Sequence, residues 1–318
     1  MTILSHEHFF KCDNPATAKQ LFKISIQRII LEVSSYCNRR CGYCPNSFID
    51  RISSKKYMPD DMLNKILADL GEIDFSGEIV FHNYNEPLAD PNICDKISRA
   101  AKACPRARVE FNTNGDFLDS DYLERLRAAG LKALRISPHL GNTTPWSDAL
   151  VIGRLTELAA RLRRPAVVEA FQPGQRISAR FADSDIDISV SHSDYYRVGS
   201  TRGGLLDDVG ISVDNNNLPC LIPLTDFYMS WDGTIMPCCH LHPEAPAHRD
   251  YRIGNINDFR DIFDAYAGEA LVGWRRSLIG PGIRRPPCDR CFAALGDPAT
   301  VQFIHSFYET AMQSRPNR

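Results

Sequence analysis

The chain has 318 residues, of which 43% are hydrophobic and 24% charged, and its formal net charge is −2. This length fits one large domain or two ordinary ones, and the balanced charge argues against a surface built mainly to bind nucleic acid or anionic lipid. No apolar run approaches the roughly 20 residues of a membrane span, and residues 1–15 lack the apolar core of a secretory signal. We therefore expect a cytoplasmic protein that binds neither nucleic acid nor a membrane.

The first two-thirds of the chain alternates segments typical of strands and helices. Predicted strands lie at 29–33, 77–82, 108–111, 131–136, 166–171 and 186–190. Predicted helices lie at 59–70, 92–103, 121–129 and 150–162. Repeated strand–helix units indicate a parallel sheet with right-handed crossovers, in which ligands bind at the carboxyl ends of the strands. Four side chains that follow such ends are expected at one mouth: Cys37, Glu86, Asn114 and Ser137.

The pattern changes after about residue 196. Residues 227–236 are predicted to form a hairpin that turns at Asp232-Gly233. A proline-rich loop follows, then a helical stretch at 258–278 and a second proline-containing loop. This change predicts a second, smaller domain.

Eleven cysteines are the unusual feature of the composition. They are too few for a disulfide scaffold in a chain this long, and a reducing compartment would keep them as thiols. Eight of them fall into two groups: Cys37, Cys41 and Cys44, and then Cys220, Cys238, Cys239, Cys288 and Cys291. Grouped thiols of this kind indicate metal ligands or catalysts. The isolated Cys12, Cys94 and Cys104 are interpreted as spectators.

The first group has the spacing C-x3-C-x2-C and directly follows a predicted strand. A cubane [4Fe–4S] cluster needs four ligands, usually thiolates. Three cysteines on one short loop leave one iron open, and an open position on a metal can bind a substrate or a cofactor. The alternatives are a zinc site or three buried thiols.

At this loop the sequence resembles the radical SAM enzyme superfamily. The resemblance implies a [4Fe–4S] cluster on Cys37, Cys41 and Cys44, whose open iron chelates S-adenosylmethionine through its amino and carboxylate groups. Reductive cleavage of that cofactor would give a 5′-deoxyadenosyl radical that abstracts a hydrogen atom from the substrate. Tyr43 occupies the aromatic position before the third cysteine, and the resemblance places it against the adenine.

Further cofactor contacts are implied at three strand ends. Asn85-Glu86-Pro87 resembles the family's Gly-Glu-Pro motif, with Asn85 in place of glycine, so Glu86 is expected to receive the methionine amino group. Asn114 belongs to a segment that resembles the Thr-Asn-Gly ending of the family's third strand. Ser137 stands where ribose or carboxylate contacts are often found; capping of the strand end is the alternative.

The second group resembles the SPASM or twitch module of the same superfamily. Cys220 and Cys238 match its opening, and Cys288-Asp289-Arg290-Cys291 supplies its closing C-x2-C. These four ligands resemble the shorter twitch form with one auxiliary [4Fe–4S] cluster, and a structural zinc site is the alternative. Cys239 could replace Cys238 as a ligand, pack as a spectator, or return a hydrogen atom to a substrate radical as the catalytic thiol of an epimerase.

The resemblance implies an α/β fold: a partial (β/α)6 TIM-like radical SAM barrel followed by a small α+β domain. The expected boundaries are an N-terminal extension at 1–24, the radical SAM core at 25–200, the auxiliary-cluster domain at 201–300 and a C-terminal helix or tail at 301–318.

The expected function is radical oxidation or epimerisation of a sugar-like, aminocyclitol-like or other small natural-product substrate. A flavodoxin- or ferredoxin-type protein is the expected electron donor. One alternative is a maturase of a ribosomally made peptide, although about 25 residues before the first strand leave little room for a fused peptide-recognition domain. Another is a non-catalytic zinc- or Fe–S-binding interaction or sensor protein.

Overall fold

The computed structural model describes residues 4–206, 209–210, 213–292 and 297–314. The chain divides into two compact units. The first, here termed the sheet unit, comprises residues 30–199 and 230–232. The second, the terminal unit, comprises the described residues of 1–29, 200–229 and 233–318. The N-terminal segment thus groups with the C-terminal third.

Strands and helices alternate along the first half of the chain. The strands are β1 (Arg28–Leu31), β2 (Glu78–Val80), β3 (Arg108–Thr113), β4 (Ala133–Ile136), β5 (Ala166–Gln172), β6 (Arg176–Phe181), β7 (Asp187–Ser193), β8 (Asp226–Met229), β9 (Thr234–Met236) and β10 (Gly254–Asn255). The α-helices are α1 (Pro15–Ser25), α2 (Asp60–Glu72), α3 (Ile93–Ala103), α4 (Ser120–Ala129), α5 (Asp148–Leu162), α6 (Tyr195–Val198), α7 (Ile222–Thr225), α8 (Ile262–Ala267), α9 (Glu269–Ile279) and α10 (Pro298–Gln313).

The strands of the sheet unit follow the order β1-β2-β3-β4-β7-β6-β5. The pairs β2–β3, β3–β4 and β4–β7 are parallel, with Ile136 opposite Val190 in the last of them. Helices α3 and α4 connect successive parallel strands, as crossovers must. Strand residues such as Ile79, Phe111 and Leu134 are fully buried in the core. The predicted α/β class with a parallel sheet is confirmed, and the parallel strands share one carboxyl edge.

One end of this sheet differs from the prediction. The predicted strand at 166–171 exists as β5, but it pairs antiparallel with β6, which the sequence analysis did not include. Strand β6 also runs antiparallel to β7, and the β5–β6 turn contains Gly174 with a positive φ of 72°. Alternation in β6, with Ile177, Ala179 and Phe181 buried, was the missed signal. The last predicted strand–helix unit is therefore replaced by an antiparallel hairpin, β5–β6, which is followed by β7, a strand parallel to β4.

Helix α2 begins directly after Pro59, which cannot donate a backbone hydrogen bond and so suits this end. Its apolar face is buried as predicted, at Met62, Leu63, Ile66, Leu67 and Leu70. Helix α4 begins at an Asp119 side-chain cap and ends at Gly130, whose φ of 95° is the left-handed conformation that favours glycine. Asp119 thus ends the loop that follows β3 at the sheet's carboxyl edge, while Gly130 begins the turn into β4.

The terminal unit contains an antiparallel group of strands, β8, β9 and β10. Tyr228 in β8 lies opposite Met236 in β9, and β10 pairs with the other edge of β9. The predicted hairpin at 227–236 is thus present. The predicted helix at 258–278 is in fact two helices, because Gly268 adopts an extended ψ of 154° between α8 and α9. Helix α10 accounts for the predicted C-terminal helix, and residues 315–318 lie outside the described residues. Among the described residues, no helix has the length and apolar character needed to cross a membrane.

Candidate active site

The C-x3-C-x2-C loop follows β1 and is held by the segment at 51–58. The Cys37 amide donates to the Arg51 carbonyl at 3.1 Å, and the Ser35 amide donates to the Lys56 carbonyl at 2.8 Å. Within the loop, the Cys44 amide donates to the Cys41 carbonyl at 2.9 Å. The loop therefore starts from a paired extended segment and closes on itself between its second and third cysteines.

A buried ion pair lies beneath this loop. Arg51 and Glu32 are 1% and 0% exposed, and Nη1 of Arg51 lies 3.1 Å from Oε1 of Glu32. The carboxylate also accepts from the Tyr84 amide at 3.0 Å and from the Ser230 hydroxyl at 3.3 Å. A buried pair is tolerated only when hydrogen bonds complete it. Because the Arg51 carbonyl holds Cys37, the pair fixes where the cysteine loop begins. A carboxylate inside the apolar run at 29–33 was the sequence signal for it.

The residues between the first two cysteines are tied to the loop after β3. Arg39 donates twice to Asp116, with Nη2–Oδ1 at 2.6 Å and Nε–Oδ2 at 2.7 Å, and Asn38 donates to the same carboxylate at 2.7 Å. Such bidentate pairs set geometry as well as energy. Burial opposes ionisation of Asp116, but hydrogen bonds and charge from Arg39 hold its pKa below the ordinary value. Asp116 was not predicted as a site residue.

Glu86 lies at the carboxyl edge of the sheet, buried with 2% exposure. Its carboxylate accepts from the Thr113 hydroxyl at 2.6 Å, from the Asn114 amide at 2.8 Å and from the Leu88 amide at 3.0 Å. Burial raises the pKa of Glu86 to about 7, against the effect of these hydrogen bonds. The Asn114 side chain in turn donates to Asn38 at 2.7 Å. The structure thus brings Glu86 and Asn114 to the cysteine loop, as the sequence predicted.

Several amide groups at this edge have polar atoms without a partner. Asn85 accepts from the Asn83 amide at 3.0 Å, while its own Nδ2 is buried and makes no hydrogen bond. Nδ2 of Asn83 and Oδ1 of Asn112 are likewise buried and make no hydrogen bond. Unpaired buried polar atoms are costly, and native proteins rarely keep them unless a ligand or water completes them. These atoms, at the ends of β2 and β3, fit the binding of a polar cofactor such as an amino acid.

Tyr43 lies in an aromatic cluster at the same edge. Its hydroxyl is 2.7 Å from Nδ1 of His139, and its ring centroid lies 5.1 Å from Tyr195. Beyond His139, the His192 and Trp146 rings stack with centroids 5.4 Å apart. Burial lowers the pKa of His139 to about 3 and that of His192 to about 4, so both rings are neutral at physiological pH. Neutral, flat rings suit the packing of a planar base.

Ser137 connects the ends of β3 and β4 through its backbone. Its amide donates to the Thr113 carbonyl at 2.9 Å, and its carbonyl accepts from the His139 amide at 2.8 Å. The strand-end position is as predicted, while a contact with the cofactor stays a prediction. His139 and His192 escaped the sequence analysis because isolated histidines carry no spacing signal.

The second cysteine group lies in the terminal unit and comes from separate segments. Cys238 directly follows the β8–β9 hairpin, the Cys220 amide donates to the Leu278 carbonyl at 2.7 Å, and Cys288–Arg290 form a single turn. Asn216 precedes Cys220 in the chain and binds the Cys288–Cys291 segment: its amide donates to the Asp289 carbonyl at 2.7 Å, and its side chain donates to the Cys291 carbonyl.

Burial and neighbouring charges shift the pKa values of these thiols. Burial and the charges of Cys220 and Cys291 raise the pKa of Cys288 to about 12. Burial also raises the pKa of Cys220, and the charge of Cys291 adds to the effect. The pKa of Cys238 is raised through its hydrogen bond with Cys239, through burial and through nearby thiols that include Cys220.

Cys239 differs from its neighbour. Its pKa is lowered by the hydrogen bond with Cys238 and by the charge of Arg202. Cys238 accepts a hydrogen bond from the His240 amide at 3.4 Å. Cys238 and Cys239 are thus hydrogen-bonded neighbours, and the assignment of Cys238 rather than Cys239 as the cluster ligand stays a prediction.

The donor chemistry of both groups fits iron–sulfur clusters. All eleven cysteines are free thiols, and thiolates are the usual cluster ligands. In the described ranges, no three His, Cys, Asp or Glu side chains surround a point as the ligands of one metal ion would. In the sheet unit, Cys37, Cys41 and Cys44 would hold one cluster; in the terminal unit, Cys220, Cys238, Cys288 and Cys291 would hold the other.

Comparison with known proteins identifies the family. Residues 31–164 match the family model of the Radical SAM superfamily. Residues 220–292 match the model of SPASM, an iron-sulfur cluster-binding domain. This chain carries a radical SAM domain followed by a SPASM domain. The matched ranges fall inside the predicted core and auxiliary domain, whose boundaries stay predictions.

The relatives of this radical SAM protein include an enzyme of similar length. The chain is 28% identical over 250 residues to the S-adenosyl-L-methionine-dependent 2-deoxy-scyllo-inosamine dehydrogenase of Niallia circulans, covering 79% of this chain and 86% of the relative. The crystal structure of BtrN in complex with AdoMet and 2-DOIA is 25% identical, with a TM-score of 0.57 over 80% of this chain and 87% of BtrN.

A second solved structure, selenomethionine BtrN in an open conformation, shares the fold at 23% identity and a TM-score of 0.55, over 84% of this chain and 92% of BtrN. The predicted family, fold class and cofactor classes are confirmed. The protein is an enzyme that uses S-adenosylmethionine, a [4Fe–4S] cluster and an auxiliary iron–sulfur cluster.

Proposed function

We propose that this enzyme is a dehydrogenase that oxidises an alcohol carbon of an aminocyclitol-like substrate. One observation carries the proposal: the chain aligns with an inosamine dehydrogenase over 86% of that enzyme. A small-molecule substrate follows from the same relative. Neither peptide maturation nor a non-catalytic sensor role is favoured by a specific observation.

The reaction needs radical chemistry because an unactivated C–H bond has no acidic proton for a side chain to remove. When bound, the cluster and S-adenosylmethionine supply a carbon radical that takes one hydrogen atom from the substrate. Cys37, Cys41 and Cys44 would hold this cluster, and Glu86 would accept hydrogen bonds from the cofactor's ammonium group.

The substrate radical must then lose one electron, and release one proton to solvent, to complete a two-electron oxidation. The four thiols of the terminal unit would hold the group that takes up the electron. Cleavage of each S-adenosylmethionine also consumes one electron from outside, and we assign its delivery to a flavodoxin- or ferredoxin-type protein. Since both clusters need reduced thiols, we place the enzyme in the cytoplasm.

The test is turnover by anaerobically reconstituted enzyme with 2-deoxy-scyllo-inosamine deuterated at its hydroxyl-bearing carbons. We expect 5′-deoxyadenosine that has gained one deuterium and a ketone product that has lost it, with no incorporation from D2O. A product of unchanged oxidation state that takes deuterium from D2O would instead mean epimerisation. The Cys41→Ala variant is the control that should release no 5′-deoxyadenosine.

Epimerisation would need a hydrogen donor, and Cys239 stays a prediction for that role. If deuterium from D2O appears at carbon, a Cys239→Ala variant should abolish it while 5′-deoxyadenosine formation continues. If incorporation persists in that variant, the thiol is not the donor.

A further inference from the structure

The segment that follows β4 contacts the cysteine loop on both sides of its middle cysteine. Before Cys41, the Arg40 amide donates to Oδ1 of Asn142 at 3.1 Å. After Cys41, the Gly42 amide donates to the Asn142 carbonyl at 2.7 Å. One residue thus accepts two backbone amides of the loop, one through its side chain and one through its backbone. Cys41 is 6% exposed and lies between these two fixed points.

The same segment also binds two side chains of the loop. Nη1 of Arg39 donates to the His139 carbonyl at 3.0 Å, and the Tyr43 hydroxyl lies 2.7 Å from Nδ1 of His139. Residues 139–142, here termed the β4 segment, therefore bind every residue from 39 to 43 other than Cys41. Residues that orient the ligands of a metal in this way affect its binding and chemistry without touching it.

The close approach of the β4 segment requires glycine at position 42. A Cβ atom on Gly42 would overlap Oη of Tyr196 and would lie 3.1 Å from the Asn142 carbonyl oxygen. The Tyr196 hydroxyl itself donates to that carbonyl at 3.1 Å. A larger residue at position 42 would therefore displace the Tyr196 hydroxyl from its acceptor, since a packed contact has no room for an added methyl group.

We propose that Asn142 is a positioning residue for S-adenosylmethionine binding, because it fixes the loop on both sides of Cys41 and with it the ring of Tyr43. The inference rests on the proposed function only in its assignment of a cluster to Cys37, Cys41 and Cys44, and it does not depend on the substrate. A loop that is already anchored needs no reordering when the cofactor binds, and such preorganisation raises affinity. Loss of the anchor should weaken cofactor binding while the three thiols still hold the cluster.

The test is binding of S-adenosylmethionine to the anaerobically reconstituted Asn142→Ala variant, in which the Arg40 amide has lost its acceptor. The readout is the cofactor concentration that half-saturates the change in the electron paramagnetic resonance spectrum of the reduced enzyme. This concentration should rise by about threefold or more, which corresponds to one net hydrogen bond, at unchanged iron content. Asn142→Asp retains an acceptor at the same position and should bind the cofactor more tightly than Asn142→Ala. A smaller rise in the alanine variant, or an aspartate variant that binds no more tightly, would contradict the proposal.

The matched control is Asn64→Ala on α2, where Oδ1 accepts a hydrogen bond from Arg99 at 3.0 Å instead of from the loop. The control should bind S-adenosylmethionine like the wild type, and equal weakening there would contradict the proposal. Loss of iron, or unfolding seen by circular dichroism, in Asn142→Ala would also contradict it, because a positioning role leaves the cluster and the fold in place.

A second pair of variants tests the same contact from the side of the loop. Gly42→Ala should weaken cofactor binding, because its methyl group displaces the Tyr196 hydroxyl from the Asn142 carbonyl. Tyr196→Phe removes that hydroxyl, so the double variant should bind the cofactor more tightly than Gly42→Ala alone. A double variant that binds no more tightly would show that this contact does not set the position of the loop.

Failure of the proposed function gives a different result. A wild-type enzyme that shows the spectral change but forms no ketone from an inosamine would overturn the dehydrogenase proposal and leave the effect of Asn142→Ala on binding unchanged. A spectral change that persists in Cys41→Ala, or that is absent from the wild type, would overturn the cluster assignment and this inference with it.

Discussion

The two cysteine groups of this enzyme are built in different ways. The first occupies eight consecutive residues on one loop, which side chains such as Arg39 and Asp116 tie to the neighbouring strand ends. The second draws on segments as far apart as Cys220 and Cys291, joined largely by backbone hydrogen bonds and by Asn216. A compact loop can be supported by a few side chains, whereas a dispersed set depends on the fold of its whole unit. The two groups should therefore respond differently to substitution.

The largest effect is expected from removing a ligand of the loop. Cys41→Ala should lower 5′-deoxyadenosine formation by more than about 100-fold, since even the loss of a residue that only supports a ligand can cost that much. The auxiliary cluster should persist, leaving about four of about eight irons. Iron analysis and product assays measure both quantities. Cys94→Ala, at an isolated thiol, is the control, and equal loss there would contradict the assignment.

The next largest effect is expected from breaking the buried Arg51–Glu32 pair beneath the loop. Glu32→Gln leaves the Arg51 guanidinium buried without its counter-charge, and breaking such a pair typically costs about 3–5 kcal/mol. Urea unfolding of the apoprotein should show this loss in the sheet unit's transition. A loss below about 1 kcal/mol would mean that the pair does not organise the start of the loop.

The terminal unit should show its own sensitivity to pH through His8. This side chain is buried, with Nε2 2.7 Å from the Ser25 hydroxyl, and burial followed by the charge of Arg275 lowers its pKa to about 4. In the unfolded state His8 binds a proton below about pH 6.5, whereas in the folded state it binds one only near pH 4. The free energy of unfolding should therefore decrease by roughly 3 kcal/mol as the pH is lowered across this window. His8→Gln should flatten that part of the apoprotein's stability profile; an unchanged slope would contradict this origin.

Matched supporting residues test the difference between the groups directly. Asp116→Asn weakens the hold of Arg39 on the loop and should reduce 5′-deoxyadenosine formation by about 10–100-fold. Asn216→Ala releases the Cys288–Cys291 turn and should reduce the auxiliary cluster's occupancy instead, leaving 5′-deoxyadenosine formation within about threefold. If both variants lose both clusters, the two sites are not supported independently.

The smallest expected effect is on the reduction potential of the auxiliary cluster. Arg284 is 3% exposed, its Nε donates to the Leu218 carbonyl, and its charge favours the thiolate forms of Cys220 and Cys288. Removing a buried positive charge should lower the auxiliary cluster's reduction potential by tens of millivolts in an Arg284→Met variant. Arg284→Lys should retain most of the potential. A titration followed by electron paramagnetic resonance measures both, and equal shifts in the two variants would contradict a charge effect.

The sequence predicts residues that a local pattern marks, and it does not predict residues that act through contacts distant in the chain. The loop cysteines, Glu86 and Asn114 were predicted because a spacing or a strand ending marks them in the sequence. Asp116, His139 and Asn216 were not, because each acts through a contact with a residue distant in the chain. The β5–β6 hairpin was missed for a related reason: a strand pattern does not state its partner, and Arg176–Phe181 reads as part of a loop until its alternation is noticed.

We expect the C-x3-C-x2-C loop to hold a cluster to which S-adenosylmethionine binds, and the terminal cluster not to bind it. Electron paramagnetic resonance of two reduced variants tests this most directly. In Cys238→Ala, which should retain only the loop cluster, adding S-adenosylmethionine should change the spectrum. In Cys41→Ala, which should retain only the auxiliary cluster, it should not. The reverse pattern, or no change in either variant, would contradict the claim.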